Sequence, residues 1–413
     1  MVQLRSKAII ENDSSTVEGE GEGNKKVKWL GFYLGLWLMT VFLFPLTSRM
    51  YFNGAGLQAS YVLAILWPEV LFIFILKTLT PNKLCTNDTI AVVLFFIAIM
   101  ISSIVSIDKV NSVLFFILTI FVFVIILQFK THLIASQYMH AFKTYSFLAL
   151  IVAIVFAMHD YRPGIRLGNG TNILNPNAIS LVLMSIVIAS LSFESKVLKA
   201  VIAGIGIYLL YLTGSRTSLG AMIVGVSVYM YYATKLSTKN NKYMLVLAVF
   251  ISILFGVLYP EKIWEFVNEI FKIDHSQRGL ASGASGRTEI WAAAWALFLE
   301  NVTTGIGYRT HEKVMGISAH NGYLATLLEI GVIGFASIMF IVIKGVIIIK
   351  KNLPINANYN YNPLLFGFCL GYMLLAMFER YLVNIGNPSS LLFLMAILAP
   401  HDMTKDVNPH INS

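Results

Sequence analysis

Three polar residues of this chain sit where chemistry could be done: Arg216, Arg287 and His320. Arg216 lies in Thr213-Gly214-Ser215-Arg216-Thr217-Ser218-Leu219-Gly220, between two apolar stretches with almost no loop to separate them. A cation so close to hydrocarbon costs several kcal/mol unless it is paired or hydrated, which marks it as a functional candidate; snorkelling at a helix end is the plainer alternative. Arg287 opens the run Arg287-Thr288-Glu289, and His320 stands in Ser318-Ala319-His320-Asn321-Gly322-Tyr323-Leu324, just before another apolar stretch. Guanidinium groups bind phosphate in a planar, bidentate way and stay charged in any environment. Imidazole can accept a proton near neutral pH. Fixed cations and one base together suit the binding of an anionic phosphate or pyrophosphate group with proton transfer beside it.

The elements that must position these residues are membrane spans. The chain is 57% hydrophobic and only 12% charged, with a mean hydropathy of +0.73, more apolar surface than a soluble fold of 413 residues could bury. About twelve stretches reach the length of a bilayer crossing, near 28–47, 57–77, 88–107, 111–129, 141–159, 175–193, 197–213, 215–233, 241–259, 321–349, 363–383 and 386–400. The expected fold is an all-α polytopic membrane protein with one large outward loop containing short amphipathic helices. It divides into a disordered tail at 1–27, spans one to nine over 28–259, the loop 260–320, spans ten to twelve over 321–400 and a tail at 401–413. The stretch 321–349 exceeds one crossing, so it tilts or begins outside the membrane, whereas 384–387 is read as only a short turn.

Lysines set the orientation. Lys25, Lys26 and Lys28 precede the first span, and every second loop repeats the bias through Lys77, Lys130, Lys196, Lys235, Lys350 and Lys405, which puts both termini inside. Of nine arginines, Arg5 is in the N-terminal tail; Arg49, Arg162, Arg166, Arg216, Arg278, Arg287, Arg309 and Arg380 all map outside. Such placement runs against the usual bias, and an anionic ligand at the outer face would account for it, as would anchoring to lipid headgroups. The net charge of +9 follows from the lysine bias and calls for no nucleic-acid partner. Outward carboxylates such as Asp108, Asp160, Glu289, Glu312 and Glu379 are scattered, with no pattern that would hold a metal. Cys85 and Cys369 do not read as a disulfide.

Within the long loop, Glu261 to Lys272 has apolar residues at helical spacing and reads as a helix on the membrane surface. The Gly- and Ser-rich run from Arg278 to Arg287 reads as flexible backbone able to approach an anion. A second amphipathic helix starts at Arg287 and passes through Trp291, Trp295 and Phe298, whose rings suit either the interfacial belt or sugar stacking.

His320-Asn321, nine residues, then Gly331-Val332-Ile333-Gly334 resembles the H-N-x9-G-x-x-G pattern of the bacterial O-antigen ligase and polysaccharide polymerase superfamily. Ser285 to Trp291, the turn Gly305-Ile306-Gly307-Tyr308 and Gly214-Ser215-Arg216 are similar to that superfamily in the same order, with a further echo at Phe378-Glu379-Arg380. The resemblance is specific from about Leu210 to Gly334. It implies a metal-independent, inverting glycosyltransferase of the bacterial inner membrane, acting at the periplasmic face. The donor would be a glycan on undecaprenyl pyrophosphate, the acceptor the lipid A core for a ligase or a second lipid-linked repeat unit for a polymerase, with a slight lean to ligase. Arg216 and Arg287 would bind the pyrophosphate, and His320 would orient or deprotonate the acceptor hydroxyl. Arg162, Arg166, Arg278, Arg309 and Arg380 are candidates for further contacts with substrate. No cofactor is expected; membrane lipids and a chain-length regulator are the other candidate partners. A transporter or lipid-linked-glycan flippase competes, with Pro68-Glu69 and Lys344 as its pathway candidates, as does a purely structural partner of an assembly complex.

Overall fold

The computed structural model describes residues 15–52, 56–76, 86–132, 135–171, 173–235, 283–353 and 361–398. These form thirteen helices, and no strand occurs among the described residues. In chain order they are α1 (Ser15–Phe52), α2 (Leu57–Leu76), α3 (Thr86–Val105), α4 (Lys109–His132), α5 (Ala135–Asp160), α6 (Pro176–Ser190), α7 (Lys196–Thr213), α8 (Arg216–Lys235), α9 (Gly283–Glu300), α10 (His311–Met315), α11 (Gly322–Lys351), α12 (Tyr361–Ala376) and α13 (Pro388–Leu398). Eleven of the expected spans coincide with helices; 241–259 and the surface helix at Glu261 to Lys272 lie outside the described residues.

Among the described residues, five helical segments are on length and composition long and apolar enough to cross a membrane, where the sequence leads one to expect twelve spans in the whole chain: Trp29–Phe52, Lys109–Leu127, Ser136–Asp160, Lys196–Thr213 and Gly322–Lys351. Others are short because protein surrounds them. Helix α13 has 11 residues, all buried, and α6 has 15, of which Ile179 to Ser190 are buried without interruption. Such helices need no full hydrophobic length, since their ends meet protein instead of lipid.

Three further expectations are corrected. Helix α1 starts at Ser15, inside the stretch read as a disordered tail. The flexible run before Arg287 is helical from Gly283, so Arg287 stands one turn inside α9; packing of α9 against α11 outweighs the low helix propensity of its glycines and serines. The turn after the eleventh span is longer than 384–387, because α12 ends at Ala376 and 377–387 is irregular. That segment is tied to the helices on either side: Tyr372 of α12 donates its hydroxyl to the Tyr381 carbonyl, and the Asn384 amide donates to Oγ of Ser390 in α13 at 2.7 Å.

The excess length of 321–349 is explained by a break in α11. Gly331 adopts φ 68° and ψ −178°, a conformation open to glycine alone, and splits the helix. Segment 302–307 docks into the gap. Ile306 donates to the Leu328 carbonyl at 3.0 Å, Gly307 to that of Glu329 at 3.3 Å, and Val332 to that of Val302 at 2.9 Å. A methyl group on Gly331 would lie 2.3 Å from the Thr303 carbonyl oxygen, and one on Gly305 would lie 2.3 Å from that of Glu329. The Gly-Ile-Gly turn and the glycine of the His-Asn motif are therefore two halves of one joint.

Elsewhere small residues bring backbones together, as is usual where apolar helices cannot gain from leaving water. Gly225 of α8 and Gly367 of α12 face each other so closely that a methyl on Gly367 would come 2.4 Å from the Gly225 carbonyl oxygen. We predict that Gly331→Ala lowers stability by about 3 kcal/mol or more. Gly316→Ala, at φ 71° but with open space around it, should cost about 1 kcal/mol. Thermal unfolding in detergent would separate the two.

Candidate active site

The connections at one end of the bundle converge. Arg49 at the end of α1 donates to the Ile173 carbonyl at 3.3 Å, Leu167 to that of Leu212 at 2.9 Å, and Lys313 meets Asp108 at 3.0 Å. Among these connections lies Glu379, 2% exposed. Its Oε1 accepts from Asn177 Nδ2 at 2.8 Å and from Arg287 Nη2 at 3.3 Å, while its Oε2 is 3.9 Å from Nδ1 of His320. Asn177 Oδ1 lies 3.5 Å from Arg166 Nη2, and Arg166 Nε donates to the Thr213 carbonyl at 2.6 Å. Four segments distant in sequence thus meet at one carboxylate.

Local sequence sets each of these groups. Asn175 caps α6 by accepting from the Asn177 amide, with Pro176 at the first helical position, and so fixes Asn177 in the first turn. The loop before it is wound around the carboxylate of Asp160, wholly buried, which accepts from the amides of Gly168 (2.5 Å), Gly170 (3.4 Å) and Thr171 (2.8 Å) and from the Thr171 hydroxyl (2.5 Å). That loop carries Arg166 to the end of α7, where Gly214 closes the helix in the left-handed conformation at φ 60°. A side chain at Gly214 would touch Arg166 Nε at 3.1 Å. Arg216, half-buried at the start of α8, follows two residues later.

His320 adopts φ 47°, a left-handed backbone that a residue with a side chain rarely takes. Two neighbours hold it there. Asn321 caps α11, its Oδ1 accepting from Tyr323 and Leu324 at 3.0 Å each, and Trp291 Nε1 donates to the Ala319 carbonyl at 2.9 Å. Trp291 thus anchors the His320 turn from α9, a role that its place in the sequence did not disclose. Trp295 is half exposed and lines, with Tyr323, Leu324, Leu327 and Phe335, an apolar groove of about 360 Å³ beside Asn321.

The structure brings together Arg166, Arg287 and His320, and sets Arg216 next to the Arg166 contact. The other candidates fall elsewhere. Arg162 is exposed and donates to the nearby carbonyls of His159 and Tyr161. Arg309 lies 4.7 Å over the ring of Phe115, and Arg380 pairs with Glu312. Arg278 lies outside the described residues. The carboxylates read as scattered are mostly engaged. Asp108 holds Lys313, and the Asn111 amide and then Lys313 keep its carboxyl below the usual carboxylate range. No group of three His, Cys, Asp or Glu residues able to hold a metal occurs among the described residues. Glu379 and Asn177 were missed as site residues; the one available signal was the Phe378-Glu379-Arg380 echo.

An all-helical, apolar bundle with a broken helix and a cationic cluster at one end defines a membrane protein with a polar site at the bundle's end. Residues 200–339 match the family model described as O-antigen ligase, which supports placing the chain in the O-antigen ligase and polymerase superfamily. The matched segment includes Arg216, Arg287, His320 and the Gly331 joint and stops before Glu379. Comparison with curated proteins gave no match.

Asp160→Ala should remove the organiser of the 161–175 loop. We expect a loss of about 2–4 kcal/mol in thermal unfolding, and faster tryptic cleavage after Arg166.

Proposed function

We propose that the protein is a membrane glycosyltransferase that moves a glycan from undecaprenyl pyrophosphate to a sugar hydroxyl at the periplasmic face of the bacterial inner membrane. The observation that carries this reading is the meeting of Arg166, Arg287 and His320 near the α7–α8 junction from which Arg216 starts α8, largely inside the segment that matches the O-antigen ligase family. The family match supports ligase-like activity at that coarse level.

In this reading the acceptor hydroxyl attacks the anomeric carbon as His320 takes up its proton. The bond from that carbon to the pyrophosphate oxygen breaks, and the configuration inverts in a single displacement. Arg216 and Arg287 offset the negative charge that grows on the leaving group; fixed donors of this kind are worth about 10²–10³ in rate each. Pyrophosphate leaves as a stabilised anion, so this chemistry needs no metal and no cofactor from the protein. Arg166 is a further anion contact, held between Thr213 and Asn177. Arg162, Arg309 and Arg380 are engaged outside this cluster and would meet the glycan, not its reacting atoms.

The lipid A core is the preferred acceptor, making the protein an O-antigen ligase; a repeat-unit polymerase, with a chain-length regulator as partner, is the second reading. Purified protein given undecaprenyl pyrophosphate-linked glycan and either acceptor distinguishes them. Transfer to the lipid A core is expected, unaffected by EDTA and reduced about 100-fold or more in Arg216→Ala, Arg287→Ala and His320→Ala. A ladder of longer lipid-linked chains would make the protein a polymerase, and no transfer to either acceptor by folded protein would overturn the enzyme reading in favour of transport.

A further inference from the structure

We infer that Glu379 is a positioning residue for His320, holding the imidazole with its proton on Nδ1 so that Nε2 faces the acceptor. The inference rests on the transfer reaction proposed above for its catalytic meaning, though not for its geometry.

The two carboxylate oxygens have different tasks. Oε1 takes both hydrogen bonds, from Asn177 and Arg287. Oε2 points at the histidine, 3.9 Å from Nδ1. That nitrogen is buried with no hydrogen-bond partner, although the ring keeps 28% of its side-chain surface open. A movement of about 1 Å closes the pair to a hydrogen bond, the kind of tightening expected when substrate fills a site. A carboxylate can only accept, so the proton in that bond belongs to Nδ1, and the lone pair of Nε2 is left for the incoming hydroxyl. Burial strengthens the constraint, because Glu379 is 3% exposed in its side chain and an unpaired Nδ1 there is costly.

The same contacts predict what an amide would do. In Glu379→Gln, Asn177 Nδ2 and Arg287 still require an acceptor, so the amide oxygen must stay at the Oε1 position. Its NH2 group then occupies the Oε2 position and faces Nδ1 as a donor. Nδ1 has to become the acceptor, the proton moves to Nε2, and the base is turned the wrong way while packing and shape stay almost unchanged. Glu379→Asp keeps an acceptor-only group at greater distance.

The test uses the full chain in detergent, labelled with 15N-histidine, with the His320 signals identified by their absence in His320→Gln. Wild type is expected to show the Nδ1–H tautomer, Glu379→Gln the Nε2–H tautomer, and Glu379→Asp mostly Nδ1–H. In the transfer assay Glu379→Gln should lose about 100-fold or more in rate, with part of that recovered in Glu379→Asp. A wild-type Nε2–H tautomer, or a Gln variant unchanged in both tautomer and rate, would overturn the inference. Should wild type transfer nothing, the proposed reaction fails and the tautomers still decide whether Glu379 directs the histidine.

Discussion

Breaking a helix inside an apolar bundle leaves amides and carbonyls that hydrocarbon cannot solvate, and the rest of this molecule's polar end depends on how that cost is met at Gly331. The answer is a loop. Segment 302–307 supplies two amides to Leu328 and Glu329 and receives the amide of Val332, while Ser102 of α3 adds its hydroxyl to the Glu329 carbonyl. Fixing 302–307 in turn fixes the residues next to it in the chain. Gly307 at φ 121° packs against Ser106, and the Tyr308 carbonyl accepts from the Ser112 hydroxyl at 2.8 Å, so the joint in α11 is also a joint to α3 and α4.

From that anchor the short helix α10 reaches three ways. His311 Nδ1 meets Glu329 Oε1 at 2.5 Å, Glu312 pairs with Arg380, and Lys313 pairs with Asp108. Three consecutive residues thereby tie α11, the 377–387 connection and the α3–α4 connection to one another. The exposed pairs among them add little stability singly. Their effect is geometric, because Arg380 is the neighbour in sequence of Glu379. Glu379 can hold Asn177, Arg287 and His320 in register only if the irregular chain around it is itself held.

Much of this was legible in the sequence, and the limits have physical causes. Arg287 and His320 stand out because a fixed cation and an imidazole are rare between apolar runs, and both proved to share one carboxylate. Glu379 did not stand out, since a lone acidic residue near the end of a span looks like any solvated one until its partners, 92 and 202 residues away, are known. The helical character of 283–286 was hidden by Gly and Ser, whose propensity gives way to packing on α11. The break at Gly331 announced itself only as an overlong span. Length alone suggested a tilt or a start outside the membrane, not a break.

The placing of the charges follows one logic. A cation at the edge of hydrocarbon must be stabilised before substrate arrives, yet it must remain able to serve an anion. Arg166 meets the neutral Thr213 carbonyl and Asn177 amide oxygen. Arg287 leans on Glu379 through one nitrogen at 3.3 Å, a longer contact than the usual short charge-assisted pair. Monodentate pairing leaves the other donors of the guanidinium fork uncommitted to that carboxylate, so an anion could engage Arg287 without first displacing Glu379. A bidentate pair would have been a better salt bridge and a poorer site. On the proposed reaction, the same carboxylate keeps its second oxygen for His320, and one buried negative charge thus steadies both the group that meets the leaving anion and the group that takes the proton.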